Sequence, residues 1–144
     1  MKKILFVEDN WNVFEMLKNQ LDETYKIVRE RAVDQAIGAT DKATEENDPF
    51  DCYVIDLQIL SFGLTLSEMA EYQNREGYAF IKNYLLKDKN AGQVKEIKSK
   101  IIICSRYILE FKKEYRDEIK GMYLVDKTKG FEKKVASLIR KICE

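Results

Sequence analysis

The chain has 144 residues, 45% of them hydrophobic, which is enough for one core between two helix layers and leads us to expect a single domain over 1–144 with no output domain in this chain. Lys plus Arg (25) balances Asp plus Glu (25), so no net field draws the whole molecule to nucleic acid or to an anionic membrane surface. Histidine is absent, which removes the commonest general base and the commonest metal ligand and leaves acid–base or metal chemistry to carboxylates and lysine.

The N-terminus has four apolar residues, Ile4 to Val7, before Glu8 and Asp9, too few for a signal-peptide core. Cys52, Cys104 and Cys143 are an odd set, far apart in sequence, as expected of buried thiols in a reducing compartment. These features predict a cytoplasmic protein with no membrane contact.

Five short apolar runs alternate with longer amphipathic stretches, the pattern of a parallel sheet with helices on both faces. The strands are predicted over 3–8, 25–30, 51–56, 100–104 and 122–125. The first, third and fourth are nearly unbroken apolar runs, as central strands should be, whereas 25–30 alternates and is expected nearer an edge. Phe14, Leu17 and Leu21 form a first helical stripe. A second helix is placed at 33–46 by its position in the alternation, and Asn47-Asp48-Pro49 ends it. A third begins near Gly77 with Phe80, Ile81, Tyr84 and Leu85, a fourth occupies 107–120, and Phe131, Val135, Leu138, Ile139 and Ile142 mark the last.

In an open parallel sheet, side chains from separate strands converge outside the carboxyl ends. Here that rim would collect Glu8 and Asp9, Asp56, Ser105 and Lys127. Clustered carboxylates repel one another unless a cation sits among them. Mg²⁺ suits such a site, because it takes oxygen ligands and keeps several waters, and Mn²⁺ is the alternative. Phosphoryl transfer needs an in-line nucleophile, for which Asp56 serves, and positive charge or donors facing the equatorial oxygens. Singly, each residue has an ordinary reading as a helix-terminal acid, a turn Asp or a helix-capping Ser. Their joint arrival at one rim favours the site.

Val7-Glu8-Asp9-Asn10, Val54-Ile55-Asp56-Leu57, Ile101-Ile102-Ile103-Cys104-Ser105 and Leu124-Val125-Asp126-Lys127 together resemble the receiver domains of two-component response regulators, over essentially the whole chain. The resemblance implies a doubly wound, flavodoxin-like α/β fold with five parallel strands in the order 2-1-3-4-5 and five flanking helices. It also implies that Glu8 and Asp9 bind the metal with Asp56, that Asp56 accepts a phosphoryl group from a histidine kinase or phosphotransfer protein, that Ser105 follows the phosphoryl oxygens and that Lys127 pairs with them. The catalysis so implied is only the domain's own phosphorylation and dephosphorylation. Output would pass to a protein partner at the surface of the fourth helix, fifth strand and last helix, with no direct contact to nucleic acid, and a homodimer is an open option. The alternative function is a non-phosphorylated pseudo-receiver that acts as a protein-interaction adaptor. A nucleotide-binding or flavodoxin-type module would need a Gly-rich loop after the first strand, and the chain has none there.

Four departures from the family pattern surround the site. The connection over 57–76 is long, and Thr65-Leu66-Ser67-Glu68 has the form of a capping box that would open a short extra helix to about Tyr72, serving as a lid over Asp56, as a docking surface or as a tolerated insertion. Arg106 stands where a small residue is usual after the Ser or Thr, and would add charge beside the pocket or obstruct small phosphodonors. Thr128 replaces the proline that usually follows the lysine. Leu124 takes the usual aromatic position, so that either a one-residue bulge brings Tyr123 into its role or the coupling between Ser105 and an aromatic is absent. Trp11, just past the acidic pair, is a natural fluorescence reporter of the site.

Overall fold

The computed structural model describes residues 1–144. Five parallel strands, β1 (Lys2–Val7), β2 (Tyr25–Glu30), β3 (Cys52–Ile55), β4 (Ile101–Ser105) and β5 (Tyr123–Asp126), form one sheet in the order β2-β1-β3-β4-β5. The alternating strand, β2, lies at an edge, and the unbroken apolar runs lie inside, as the predicted order requires.

Strand pleating sends successive side chains to opposite faces, and this alternation divides the core in two. Ile4, Phe6, Cys52, Val54, Ile102 and Cys104 face one way and pack with α1 (Trp11–Lys18) and α7 (Phe131–Cys143). Leu5, Val7, Tyr53, Ile55, Ile101 and Ile103 face the other way, against α2 (Val33–Glu45), α4 (Glu76–Phe80) with the π-helical turn Ile81–Leu85 that continues it, and α6 (Ile108–Glu114). Each fully buried Ile or Leu here contributes roughly 1.5–3 kcal/mol of transfer free energy. The stripes expected on α1 and α7 are the faces that meet the sheet.

Seven helices flank the sheet rather than five. One addition is the short helix expected in the long connection, α3 (Leu66–Glu71). Thr65 and Glu68 form its reciprocal capping box, and Tyr72 ends it. The other, α5 (Ala91–Lys98), was not foreseen: it buries no residue, so it carries no apolar stripe to read, and it starts from a capping box of Asn90 and Gln93. The helix expected over 107–120 is only α6. The chain leaves helical geometry at Tyr115, whose ring packs 4.6 Å from that of Tyr78 and 5.2 Å from that of Phe111. All three cysteines are free and buried, and Cys52 and Cys143, distant in sequence, lie in the same core cluster.

No helix is long and apolar enough to cross a membrane. The β4–β5 pairing runs in unbroken register from Ile102–Tyr123 to Ser105–Asp126, so no bulge brings Tyr123 to the other face. Tyr123 packs on the α7 side and Leu124 on the α6 side, which leaves no aromatic at the switch position.

Candidate functional site

The ends of β1, β3 and β5 bring together the residues that the sequence separates. Glu8 and Asp9 follow β1 directly, and Asn10 then caps α1 by accepting the amides of Asn12 and Val13. The chain therefore turns from strand to helix within three residues, Glu8, Asp9 and Asn10, which fixes where the two acids sit. Asp56 follows β3; its amide bonds to the Val7 carbonyl at 3.0 Å, and this links the two strand ends. One carboxylate oxygen from each of Glu8, Asp9 and Asp56 lies within 4.8 Å of the other two.

Lys127 arrives from β5. Its ammonium lies 2.6 Å from Glu8 Oε1 and 2.8 Å from Asp56 Oδ2, with its side chain only 9% exposed. Its backbone amide donates to the Ser105 carbonyl at 3.1 Å, and the next amide, that of Thr128, donates to the Asp126 carbonyl at 2.8 Å. A proline at 128 could not make that second bond, so the substitution gives the Lys127 loop an anchor of its own.

Glu8 is 4% exposed and its Oε2 has no partner. Burial, reinforced by the negative charge of Asp56 and opposed by Lys127, pushes its carboxyl up to about 8. Burial pulls the Lys127 ammonium down, but Asp56 and Glu8 beside it more than offset that, and the net shift is upward. The rim is thus short of positive charge, with three carboxylates against one buried lysine.

A divalent cation fits this donor set. Ligand oxygens around Mg²⁺ at 2.0–2.1 Å stand about 2.9 Å apart when adjacent and about 4.2 Å when opposite, so the three carboxylates would close in on a bound ion, and the orphaned Glu8 oxygen would gain a counter-charge. A pocket of about 200 Å³ opens beside the cluster, lined by Asp9, Asn10, Val13, Asp56, Gln58, Arg106 and Lys127.

Ser105, 1% exposed, ends β4 beside the site but does not line that pocket, and its hydroxyl accepts the Tyr107 amide at 3.3 Å. It does not cap α6, whose cap position is Tyr107. Arg106 does line the pocket and is exposed. Cys104 is no candidate nucleophile, since burial pushes its thiol to about 12.

The long connection does not close over Asp56. Of its residues only Gln58 lines the pocket, where its amide reaches Asp56 Oδ1 at 3.3 Å. From there the chain runs to the β2–α2 junction, where Leu60 donates to Arg31, Val33 to Leu60 and Asp34 to Phe62. It returns through Tyr72 to Gly77, whose missing side chain is obligatory: a Cβ there would stand 1.9 Å from the Asp56 carbonyl oxygen.

One member of the site's surroundings escaped the sequence reading. Arg29 donates from Nε to the Glu8 carbonyl (3.2 Å) and from Nη2 to the Asp9 carbonyl (3.1 Å). The available signal was its alternation with Tyr25 and Ile27, which puts a cation on an otherwise apolar strand face.

No protein-family model matches the sequence, and no curated protein matches it. Solved structures do. The chemotaxis response regulator CheY4 of Vibrio cholerae is 18% identical, covers 99% of this chain and 98% of its own, and superposes with a TM-score of 0.65. The phosphorylated cyanobacterial phytochrome response regulator RcpA is 19% identical, with 99% and 89% covered and a TM-score of 0.60. The Mn²⁺-bound form of response regulator Rcp1 is 14% identical, with 99% and 90% covered and a TM-score of 0.60. With its strand order, its helix layers and these likenesses over nearly the whole chain, the protein has the CheY-like fold of response-regulator receiver domains.

Proposed function

We propose that the chain is a phosphorylation-dependent signalling switch, a single receiver unit over 1–144 that accepts a phosphoryl group on Asp56. The observation that carries this reading is the convergence of three carboxylates and a buried lysine from three strand ends on one small pocket. Mg²⁺ or Mn²⁺, when held by Glu8, Asp9 and Asp56, would neutralise the carboxylates and draw charge from the phosphoryl oxygens.

The phosphodonor is a histidine kinase or a phosphotransfer protein. An Asp56 carboxylate oxygen forms the new bond to phosphorus as the bond from phosphorus to the donor imidazole breaks, and the electron pair leaves with that nitrogen. Lys127 already touches Asp56 and needs only to swing its ammonium to meet a phosphoryl oxygen. Arg106 offers a second, exposed cation at the pocket mouth. Ser105 accepts the Tyr107 amide and keeps its own proton free to donate to a phosphoryl oxygen, so a shift of Ser105 toward that oxygen would pull on Tyr107 and carry the signal to the start of α6. The altered surface of α6, β5 and α7 then engages a protein partner, in a cytoplasmic setting and without contact to nucleic acid. Homodimer formation through the same surface is an accessible output.

The second reading, a pseudo-receiver adaptor, is favoured by the aliphatic Leu124 and the strand register that turns Tyr123 away. The two are separated by intact mass after incubation with Mg²⁺ and acetyl phosphate, or with a phosphorylated kinase. The switch requires one phosphoryl mass on the wild type and none on Asp56→Asn. A wild type that gains no mass from either donor leaves the adaptor.

A further inference from the structure

We infer that Arg29 is a positioning residue for the cation site, holding the Glu8-Asp9 backbone from behind so that both carboxylates face Asp56. The inference rests on the divalent-metal reading above.

Arg29 lies on edge strand β2 in register with Phe6, on the face that packs against α1. The main chain of β2 already holds the first acid, since the Glu8 amide donates to the Glu30 carbonyl at 2.9 Å. Nothing in β2's main chain reaches Asp9, because β1 and β2 are paired only as far as Val7 and Glu30. The guanidinium fills that gap with one donor on each acidic residue's carbonyl. Such a planar fork fits two adjacent carbonyls in a way a lysine ammonium cannot.

The fork is itself fixed. The guanidinium carbon lies 5.2 Å from the Trp11 ring centre and 5.3 Å from that of Phe14, and Phe14 packs edge-on against Phe6. The cation is thus held by aromatic rings on one side while donating to two carbonyls on the other. It also places positive charge behind the acidic pair without occupying any carboxylate oxygen, and so leaves those oxygens free for a metal. Groups that orient metal ligands from outside the coordination sphere typically change affinity by about 10–100-fold when removed.

Mn²⁺ binding to the whole protein, followed by the electron-spin resonance of the free ion, tests the assignment alongside the thermal midpoint of each metal-free variant. Arg29→Met keeps the stem on Trp11 and Phe14 and removes the donors, and is expected to weaken Mn²⁺ about tenfold. Arg29→Lys keeps the charge and a single reach, and is expected to fall between wild type and Arg29→Met. If Arg29→Met binds Mn²⁺ as the wild type does, whatever its thermal midpoint, the positioning role is wrong. Should Arg29→Met not fold, wild-type affinity in Arg29→Lys would refute the two-point hold. A wild type that binds no Mn²⁺ at millimolar concentration removes the metal reading itself, an outcome distinct from failure of Arg29 alone.

Discussion

The rim around Asp56 and the connection that leaves it toward Gly77 are held by different forces. At the rim, regular strands end in register, and charged side chains from β1, β3 and β5 are pressed together by the packing beneath them. The connection is anchored at its ends by buried Leu57, Ile59 and Tyr72, whereas its outer stretch, 60–71, is held mainly by main-chain hydrogen bonds to residues 31–34 and by local capping; α3 buries nothing, and Phe62 and Leu66 stand 62% and 85% exposed. The rim should therefore fail cooperatively when it is touched, and the connection locally.

The sharpest way to break that contrast is at the point where the two regions meet. Gly77→Ala would drive a methyl group into the Asp56 carbonyl, and both clashing atoms are too constrained to yield cheaply. We expect a loss above about 4 kcal/mol, enough to leave little folded protein, measurable as collapse of the urea transition. Next comes Lys127→Met, which leaves buried Glu8 and Asp56 facing each other without their cation. Removing one partner of a buried ion pair costs about 3 kcal/mol or more, and millimolar Mg²⁺ should restore much of it. A loss that Mg²⁺ fails to restore would count against a cation site at this rim.

The same contrast explains what was legible in the sequence. Unbroken apolar runs such as Ile101-Ile102-Ile103-Cys104 define a buried strand and hence the position of its end, so Asp56, Ser105 and Lys127 could be placed from pattern alone. Glu8 and Asp9 followed in the same way from Ile4 to Val7. Arg29 was not found because its role depends on which strand neighbours β1 and on a side chain that reaches two carbonyls, neither of which has a sequence period. The course of 57–65 was equally hidden, since main-chain bonds to Arg31 and Asp34 leave no mark on side-chain pattern. The capping box at Thr65 was legible because it is a side-chain device. The register of β5, which settles the fate of Tyr123 and Leu124, had to be seen.

Glu8 sharpens the comparison through pH. Its carboxyl is raised in the folded protein from an ordinary value of 4.5 to about 8, so folding favours the protonated form. The stability this contributes is complete below about pH 4.5 and is lost as pH rises toward 8; Lys127, raised from 10.5, adds no slope in that window. With chelator present, stability should fall by on the order of 2 kcal/mol between about pH 5 and 8. Mg²⁺, which favours the carboxylate, should flatten that fall. A flat profile with chelator would mean that Glu8 is ionised throughout, with Lys127 alone sufficient to hold it.

The smallest expected effect belongs to the connection. Thr65→Ala removes one half of the α3 capping box, a loss of about 1 kcal/mol for the helix. Because α3 contributes no buried residue, that loss should be spent on local fraying. Amide exchange at Glu68 and Met69 should accelerate while the global urea midpoint stays within error. Under the proposed function, the lifetime of a phosphoryl group on Asp56 should also be unchanged, since Gln58, the only connection residue lining the pocket, is held from the far end by Asn74 at 3.2 Å and not by α3. A shortened or lengthened lifetime in Thr65→Ala would mean that α3 moves over the pocket during the cycle. The connection would then be a lid after all, open in the conformation described above.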